Sequence, residues 1–256
     1  MPVSIQAGLW GLLSGSALLL GAGAAWVANI PQRVIAAVMA FGSGVLISAL
    51  SFELMEEAIQ RGGFIATALG FLGGALVYTL ANVAVSKAGG KHRKRSGGQQ
   101  KASDSDGDNS GGDNGLAIAI GALLDGIPES IVIGVSLIEG GAVSMVAVIA
   151  VFLSNVPEGL SSAAGMRKAG KSAAYIFGLW AGIALISGLA AWLGYVVFAG
   201  LGDAVVAATQ AVAAGAILAM IADTMIPEAF EATHDYAGFI TVAGFLAAFT
   251  LSKMGG

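Results

Sequence analysis

Cysteine is absent from the 256-residue sequence. Its absence excludes disulfides, thiolate metal sites and cysteine-based redox chemistry. Charge is scarce as well: 11% of residues are Asp, Glu, Lys or Arg, where a soluble domain carries about a quarter. Histidine occurs twice, as His92 and His234, both in segments read as loops. The zinc-protease string HExxH is absent. The net charge of −4 and the 56% hydrophobic content exclude nucleic-acid binding, a coiled coil and a disordered chain.

Apolar residues and glycine fill the space that charge leaves. Mean hydropathy is +0.82, and the 39 glycines suit helices that pack closely in a bilayer, where small residues let backbones approach. A helix crossing the hydrocarbon core needs about 20 mostly apolar residues. Eight stretches qualify: 6–29, 34–57, 63–86, 115–137, 142–165, 172–199, 204–229 and 238–254. The joins read as turns at Asn29-Ile30-Pro31, Arg61-Gly62-Gly63, Glu139-Gly140-Gly141 and Gly200-Leu201-Gly202. The N-terminal MPVSIQ lacks the basic region of a cleaved signal peptide, so the first stretch is taken as a retained helix.

Basic residues orient the array. Arg33, then Lys87, Lys91, Arg93, Lys94, Arg95 and Lys101, then Arg167, Lys168 and Lys171 follow the first, third and fifth stretches, ten of the twelve in the chain. Only Arg61 and Lys253 fall on the other side. The positive-inside rule makes the odd-numbered loops cytoplasmic and puts both termini outside, in a cell (inner) membrane. The chain thus divides into helices 1–3 (1–86), a cytoplasmic linker (87–114), helices 4–5 (115–171) and helices 6–8 (172–256). The linker is a polar Gly/Ser/Asp tract expected to be disordered. Its Asp104-x-Asp106-x-Asp108 run fails as an EF-hand loop, because Asn109 stands at the sixth position and Gly115 at the twelfth.

Two parts of the chain resemble each other. GSGVLISALSFELMEEA (42–58) parallels GAILAMIADTMIPEA (215–229), EAIQRGGFIATALGFLGG (57–74) parallels EAFEATHDYAGFITVAGFLAA (228–248), and GLWGLL echoes GLWAGIAL. Helices 1–3 and 6–8 thus read as repeats offset by five helices. An odd offset inserts the copies in opposite senses, an architecture of secondary transporters. The expected fold is an all-α polytopic membrane protein of eight transmembrane helices in a 3+2+3 arrangement.

Helices 4 and 5 carry two versions of one hexamer, Asp125-Gly126-Ile127-Pro128-Glu129-Ser130 and Ser154-Asn155-Val156-Pro157-Glu158-Gly159. Each lies about mid-membrane. Pro128, Pro157 and the Pro227 of helix 7 each precede a glutamate; a helical proline deletes one N–H, frees a carbonyl and bends the helix. Residues four apart share a helix face, so Asp125 with Glu129 and Ser154 with Glu158 project together. A carboxylate at the bilayer centre costs at least ~2.5–3.5 kcal/mol. Three such groups in two helices call for a cation or protons to neutralise them, and oxygen ligands around a divalent ion answer that need.

With these hexamers in adjacent spans, the chain resembles the Zrt/Irt-like, or ZIP, family of divalent-metal transporters. In that family helix 4 carries HNxPEG, helix 5 a second PEG or HExxHE-type motif, and helix 7 an (H/E)E-x-IPE segment that Asp223-Thr224-Met225-Ile226-Pro227-Glu228 matches in part. The resemblance implies Asp125, Glu129, Ser154, Asn155 and Glu158 as metal ligands, with Gly126 at a ligand position but without a side chain to offer. Glu53, Asp223 and Glu228 are expected along the pathway. Asp125 stands where the family has histidine, Ser154 where it has histidine or glutamine, and Ala190-Ala191 where many bacterial members have Glu-Pro. The remaining set is all oxygen, which admits zinc and suits manganese, iron(II), cadmium or cobalt. The implied activity is transport of divalent cations into the cytoplasm, without nucleotide or prosthetic group, the partners being the lipid bilayer and the metal, and a homodimer a compatible assembly. It is not enzymatic. A non-transporting metal-sensing homologue and an intramembrane diacid hydrolase are the alternatives; LLDGIP around Asp125 lacks the glycine spacing of the latter.

Overall fold

The computed structural model describes residues 1–87, 113–138 and 143–255, among which there is no strand. The chain runs α1 (Val3–Val27), α2 (Gln32–Ala49), α3 (Met55–Lys87), α4 (Asp113–Ser136), α5 (Met145–Lys168), α6 (Ala173–Phe198), α7 (Asp203–Met220), α8 (Ile226–Thr233) and α9 (Ala237–Gly255). One π-helical turn, Leu50–Leu54, joins α2 to α3, and another, Ile221–Met225, joins α7 to α8. Residues 88–112 and 139–142 lie outside the described residues, and with them the acidic run, His92 and the Glu139-Gly140-Gly141 turn.

Among the described residues, six continuous helical stretches are long and apolar enough to cross a membrane: Val3–Val27, Gln32–Lys87, Ala119–Ser136, Met145–Lys168, Ala173–Phe198 and Asp203–Met254. This is the make-up of a multi-pass membrane protein. Two of the stretches, of 56 and 52 residues, would extend about 84 and 78 Å as straight helices, against a hydrocarbon core of about 30 Å.

Each long stretch is broken once. Gly63 adopts φ 72, ψ 170 inside α3, a conformation open to it because it has no Cβ. The turn expected at Arg61-Gly62-Gly63 is therefore a one-residue break rather than a loop. In the second stretch the break falls on His234 (φ 42, ψ −112), a left-handed conformation uncommon for a residue with a side chain. It leads into a 3-10 turn, His234–Tyr236.

These irregularities correspond. The residue-171 offset that aligns Glu57-Ala58 with Glu228-Ala229 also aligns the two π turns and the two breaks. In both π turns the closing bond skips one residue more than in an α-helix, from the Met55 N–H to the Leu50 carbonyl and from the Ile226 N–H to the Ile221 carbonyl. Packing follows the same relation. Helix α3 lies along α7 as α9 lies along α2, α1 packs on α5 as α6 packs on α4, and α1 and α6 pack on each other. Exchanging α1 with α6, α2 with α7, α3 with α9 and α4 with α5 returns the same set of neighbours. Gly44 abuts the Thr241 carbonyl, and Gly215, 171 residues on, abuts the Phe71 carbonyl.

The helices form two groups. One contains α1, α4, α5 and α6; the other contains α2, α3, α7, α8 and α9. They meet where α2 touches α5, α4 touches α7, and α3 touches α4. The buried apolar side chains knit the groups together: one cluster, on Met39, Leu46, Tyr78, Ile217 and Met220, takes in Val132 of α4 and Ala147 and Ala150 of α5, and another, on Leu18, Leu160, Ile176 and Trp180, takes in Ile35 of α2. The expected proline bends do not interrupt α4 or α5: Pro128 and Pro157 lie inside continuous helices. Pro227 is the second residue of α8, directly after the π turn and inside the same continuous helical stretch.

Candidate metal-transport site

Helices α4 and α5 bury the polar side chains of the two hexamers. Asp125 and Glu129 are each 1% exposed and Glu158 5%, and Ser154, Asn155 and Ser130 are buried beside them. The local sequence accounts for this placement. Pro128 and Pro157 cannot bond to the carbonyls of Leu124 and Leu153, four residues earlier, so the residue just before each hexamer has a backbone acceptor without its helical donor. Ser130 turns its hydroxyl to the Gly126 carbonyl at 2.7 Å, and Ser154 turns its own to the Val151 carbonyl at 2.9 Å.

Neighbouring helices fix the polar side chains. The Tyr78 hydroxyl, on α3, donates to Asp125 Oδ1 at 2.6 Å. Asn155 Nδ2 donates to the Ser14 carbonyl of α1 at 3.0 Å. Gly42 of α2 admits Pro157; a Cβ there would stand 3.0 Å from Pro157 Cγ. Ser161, one turn beyond Glu158, donates to Glu228 Oε1 at 3.0 Å. A side chain at Gly126 would start in open space, with Ser187 Oγ of α6 the nearest atom at 3.8 Å from its Cβ. Asn155 thus bonds across to α1, while Gly126, at the same place in the other hexamer, offers α6 no side chain.

Among the described residues, no three His, Cys, Asp or Glu side chains gather as a group able to hold a metal ion. Asp125, Glu129 and Glu158 share burial and two helices but do not close on one point in this conformation. Buried carboxyls still demand compensation, because a charge out of water is costly unless paired or hydrogen-bonded.

The three acids expected along a pathway, Glu53, Asp223 and Glu228, lie apart from one another in their surroundings. Glu53, in the first π turn, accepts from Ser252 Oγ of α9 at 2.6 Å and from Ser144 Oγ at 3.5 Å. It lines a cavity of about 530 Å³ with Glu56, Glu57, Gln60 and Ser136, where Glu57 also pairs with Arg61 at 3.0 Å. Asp223, in the second π turn, is exposed and meets Asn82 Nδ2 at 3.5 Å. Glu228 is buried against Ser161. His234 is no ligand neighbour of the hexamers: it sits in the break before α9, edge-on to Phe230.

Two strings in the chain have the letters of enzyme motifs that their surroundings contradict. Gly165–Ser172 reads GMRKAGKS, the pattern of a phosphate-binding loop. That loop needs a strand before it and a helix after it. Here Gly165 is buried near the end of α5, Gly170 turns at φ 83, and Ser172 caps α6 through the Tyr175 N–H. Gly200–Asp203 has the spacing of a diacid protease, but it forms the exposed start of α7, apart from Asp125.

Sequence reasoning missed Tyr78, Ser14, Ser161 and Ser187, none of which belongs to a motif. No family model and no curated relative matches the chain. The class on which fold and site agree is a helical membrane protein with buried acids in two proline-bearing helices.

Proposed function

We propose that the chain is a ZIP-like secondary transporter that carries divalent cations into the cytoplasm of a cell whose inner membrane it spans eight times. The observation that carries the reading is the burial of Asp125, Glu129, Ser154, Asn155 and Glu158 in two mutually related helices. A protein that spends the cost of burying three acids in apolar spans has a use for them, and pathways for ions and protons are the usual one. The 3+2+3 arrangement with inverted repeats is supported by the paired π turns, the paired breaks at Gly63 and His234, and the exchange symmetry of the helix contacts. The lengths of the two long stretches favour two crossings in each.

On this reading the cation is held by Asp125, Glu129 and Glu158 oxygens, with Ser154, Asn155 and backbone carbonyls freed by Pro128 and Pro157 completing the set. Zinc, manganese, iron(II), cadmium and cobalt are the candidate cargo. The two helix groups would move relative to each other, exposing the acids of α4 and α5 to one side of the membrane and then to the other. The test is uptake into proteoliposomes of the purified chain with a fluorescent indicator inside. Accumulation of a divalent cation down its gradient supports transport. Binding without accumulation would favour the metal-sensing alternative.

A further inference from the structure

Tyr78 carries an inference that deepens the cation reading and rests on it. Its ring is 1% exposed and belongs to the apolar core that also contains Val132 of α4, with Leu124 packed against it. Its hydroxyl donates to Asp125 Oδ1 at 2.6 Å, a short bond of the charge-assisted kind. The phenol's position is set by backbone contact rather than by a flexible stem: one turn earlier, Gly74 lets α3 close on the Val212 carbonyl of α7. Ser154, the counterpart of Asp125 in the second hexamer, turns its hydroxyl to its own helix instead. The phenol therefore distinguishes the two hexamers.

We propose that Tyr78 is a specificity-determining residue, which holds Asp125 to single-oxygen coordination and so favours small, low-coordinate cations. A carboxylate that chelates with both oxygens would put the cation on the same oxygen as the phenol proton, and that bond would weaken or break. Zinc is satisfied by four ligands at about 2.0–2.2 Å from carboxylate oxygen and loses little. Manganese takes six oxygens, and a second carboxylate oxygen is worth more to it. The hydrogen bond thus penalises the cation that needs chelation.

The test uses the purified full chain in detergent and measures dissociation constants for Zn²⁺ and for Mn²⁺ by equilibrium dialysis at one pH. Tyr78→Phe keeps the ring and removes the donor. Losing a hydrogen bond to a charged group shifts equilibria about tenfold or more, and only part of that shift discriminates between cations. The affinity ratio should move toward Mn²⁺ by about threefold to tenfold. The double variant Tyr78→Phe/Asp125→Asn should have the same ratio as Asp125→Asn alone, because the tyrosine acts through the aspartate. An unchanged ratio in Tyr78→Phe overturns the proposal, as does a shift that persists in full in the Asp125→Asn background. A lower thermal midpoint with the ratio unchanged would mark Tyr78 as packing only and count equally against it. Binding of both cations without uptake into vesicles would sink the transport reading while the ratio still decides the role of Tyr78. A parent chain that binds neither cation defeats both.

Discussion

Alanine at Gly126 and at Gly159 should change stability in opposite directions. Both glycines lie inside hexamer-bearing helices, and in both cases Gly→Ala removes a helix penalty of about 1 kcal/mol. At Gly126 the new methyl would find Ser187 Oγ at 3.8 Å and nothing nearer, so that gain stands. At Gly159 it would lie 2.8 Å from the Cα and carbonyl carbon of Leu18, inside van der Waals contact with a backbone that cannot rotate away. Overpacking costs about 1–3 kcal/mol, and an obstacle made of backbone belongs at the upper end. The net is a loss of about 1–2 kcal/mol at Gly159 against a gain of up to about 1 kcal/mol at Gly126. For a chain of this size the thermal midpoint should rise by about 2–4 °C in Gly126→Ala and fall by about 2–8 °C in Gly159→Ala. Gly134, whose Cβ would lie 2.8 Å from the Ala191 carbonyl carbon, should behave as Gly159 does. The assay is thermal unfolding in one detergent, followed by tryptophan fluorescence. Shifts of the same sign at Gly126 and Gly159 would refute the close approach of α5 to α1 and the open corner beside Ser187.

Three further outcomes follow from the same geometry. Lys87 and Asp203 are exposed at helix ends, and the chain has no native cysteine; Lys87→Cys should label from the cytoplasmic side and Asp203→Cys from the other, whereas labelling from one side would defeat the proposed topology. Arg167 donates Nη1 to the Ala25 and Trp26 carbonyls at 2.6 and 2.8 Å and Nη2 to Asn29 Oδ1 at 2.7 Å, closing the C-terminus of α1. Arg167→Met should cost about 2 kcal/mol in thermal unfolding, and Arg167→Lys should recover less than half, since an ammonium lacks the planar fork; full recovery would contradict this account. Asp125→His restores a nitrogen ligand and should shift competitive uptake toward zinc over manganese above pH ~6.5; an unchanged ratio with transport intact would mean that residue 125 does not meet the cation.

The helices were legible because apolar stretches and glycine-bearing turns mark them. Gly63 could be read as a break, for glycine alone enters that conformation freely. His234 could not. No glycine marks that residue, and counting 171 residues from Gly63 is what singles it out. The hexamers stood out because proline and glutamate are rare inside apolar spans, and the structure buries their acids. Tyr78 left no trace in the sequence: a single tyrosine in an apolar helix reads as core, and its bond to Asp125 spans 47 residues. Arg167 was legible as charge but not as a cap, because topology rules count cations without asking which carbonyls they reach. At Gly165–Ser172 the letters match a phosphate loop, yet the strand that gives the pattern meaning is missing: Gly165 lies near the end of α5.

The most direct test of the central claim removes one carboxylate at a time. Glu129→Gln and Glu158→Gln each delete a charge while keeping the shape of a side chain at most 5% exposed. Initial rates of divalent-cation uptake into proteoliposomes are then compared at equal reconstituted protein. The account predicts uptake by the parent and a loss of at least about tenfold in each variant, the effect of removing one charged ligand. Uptake at the parent's rate in both variants would contradict it.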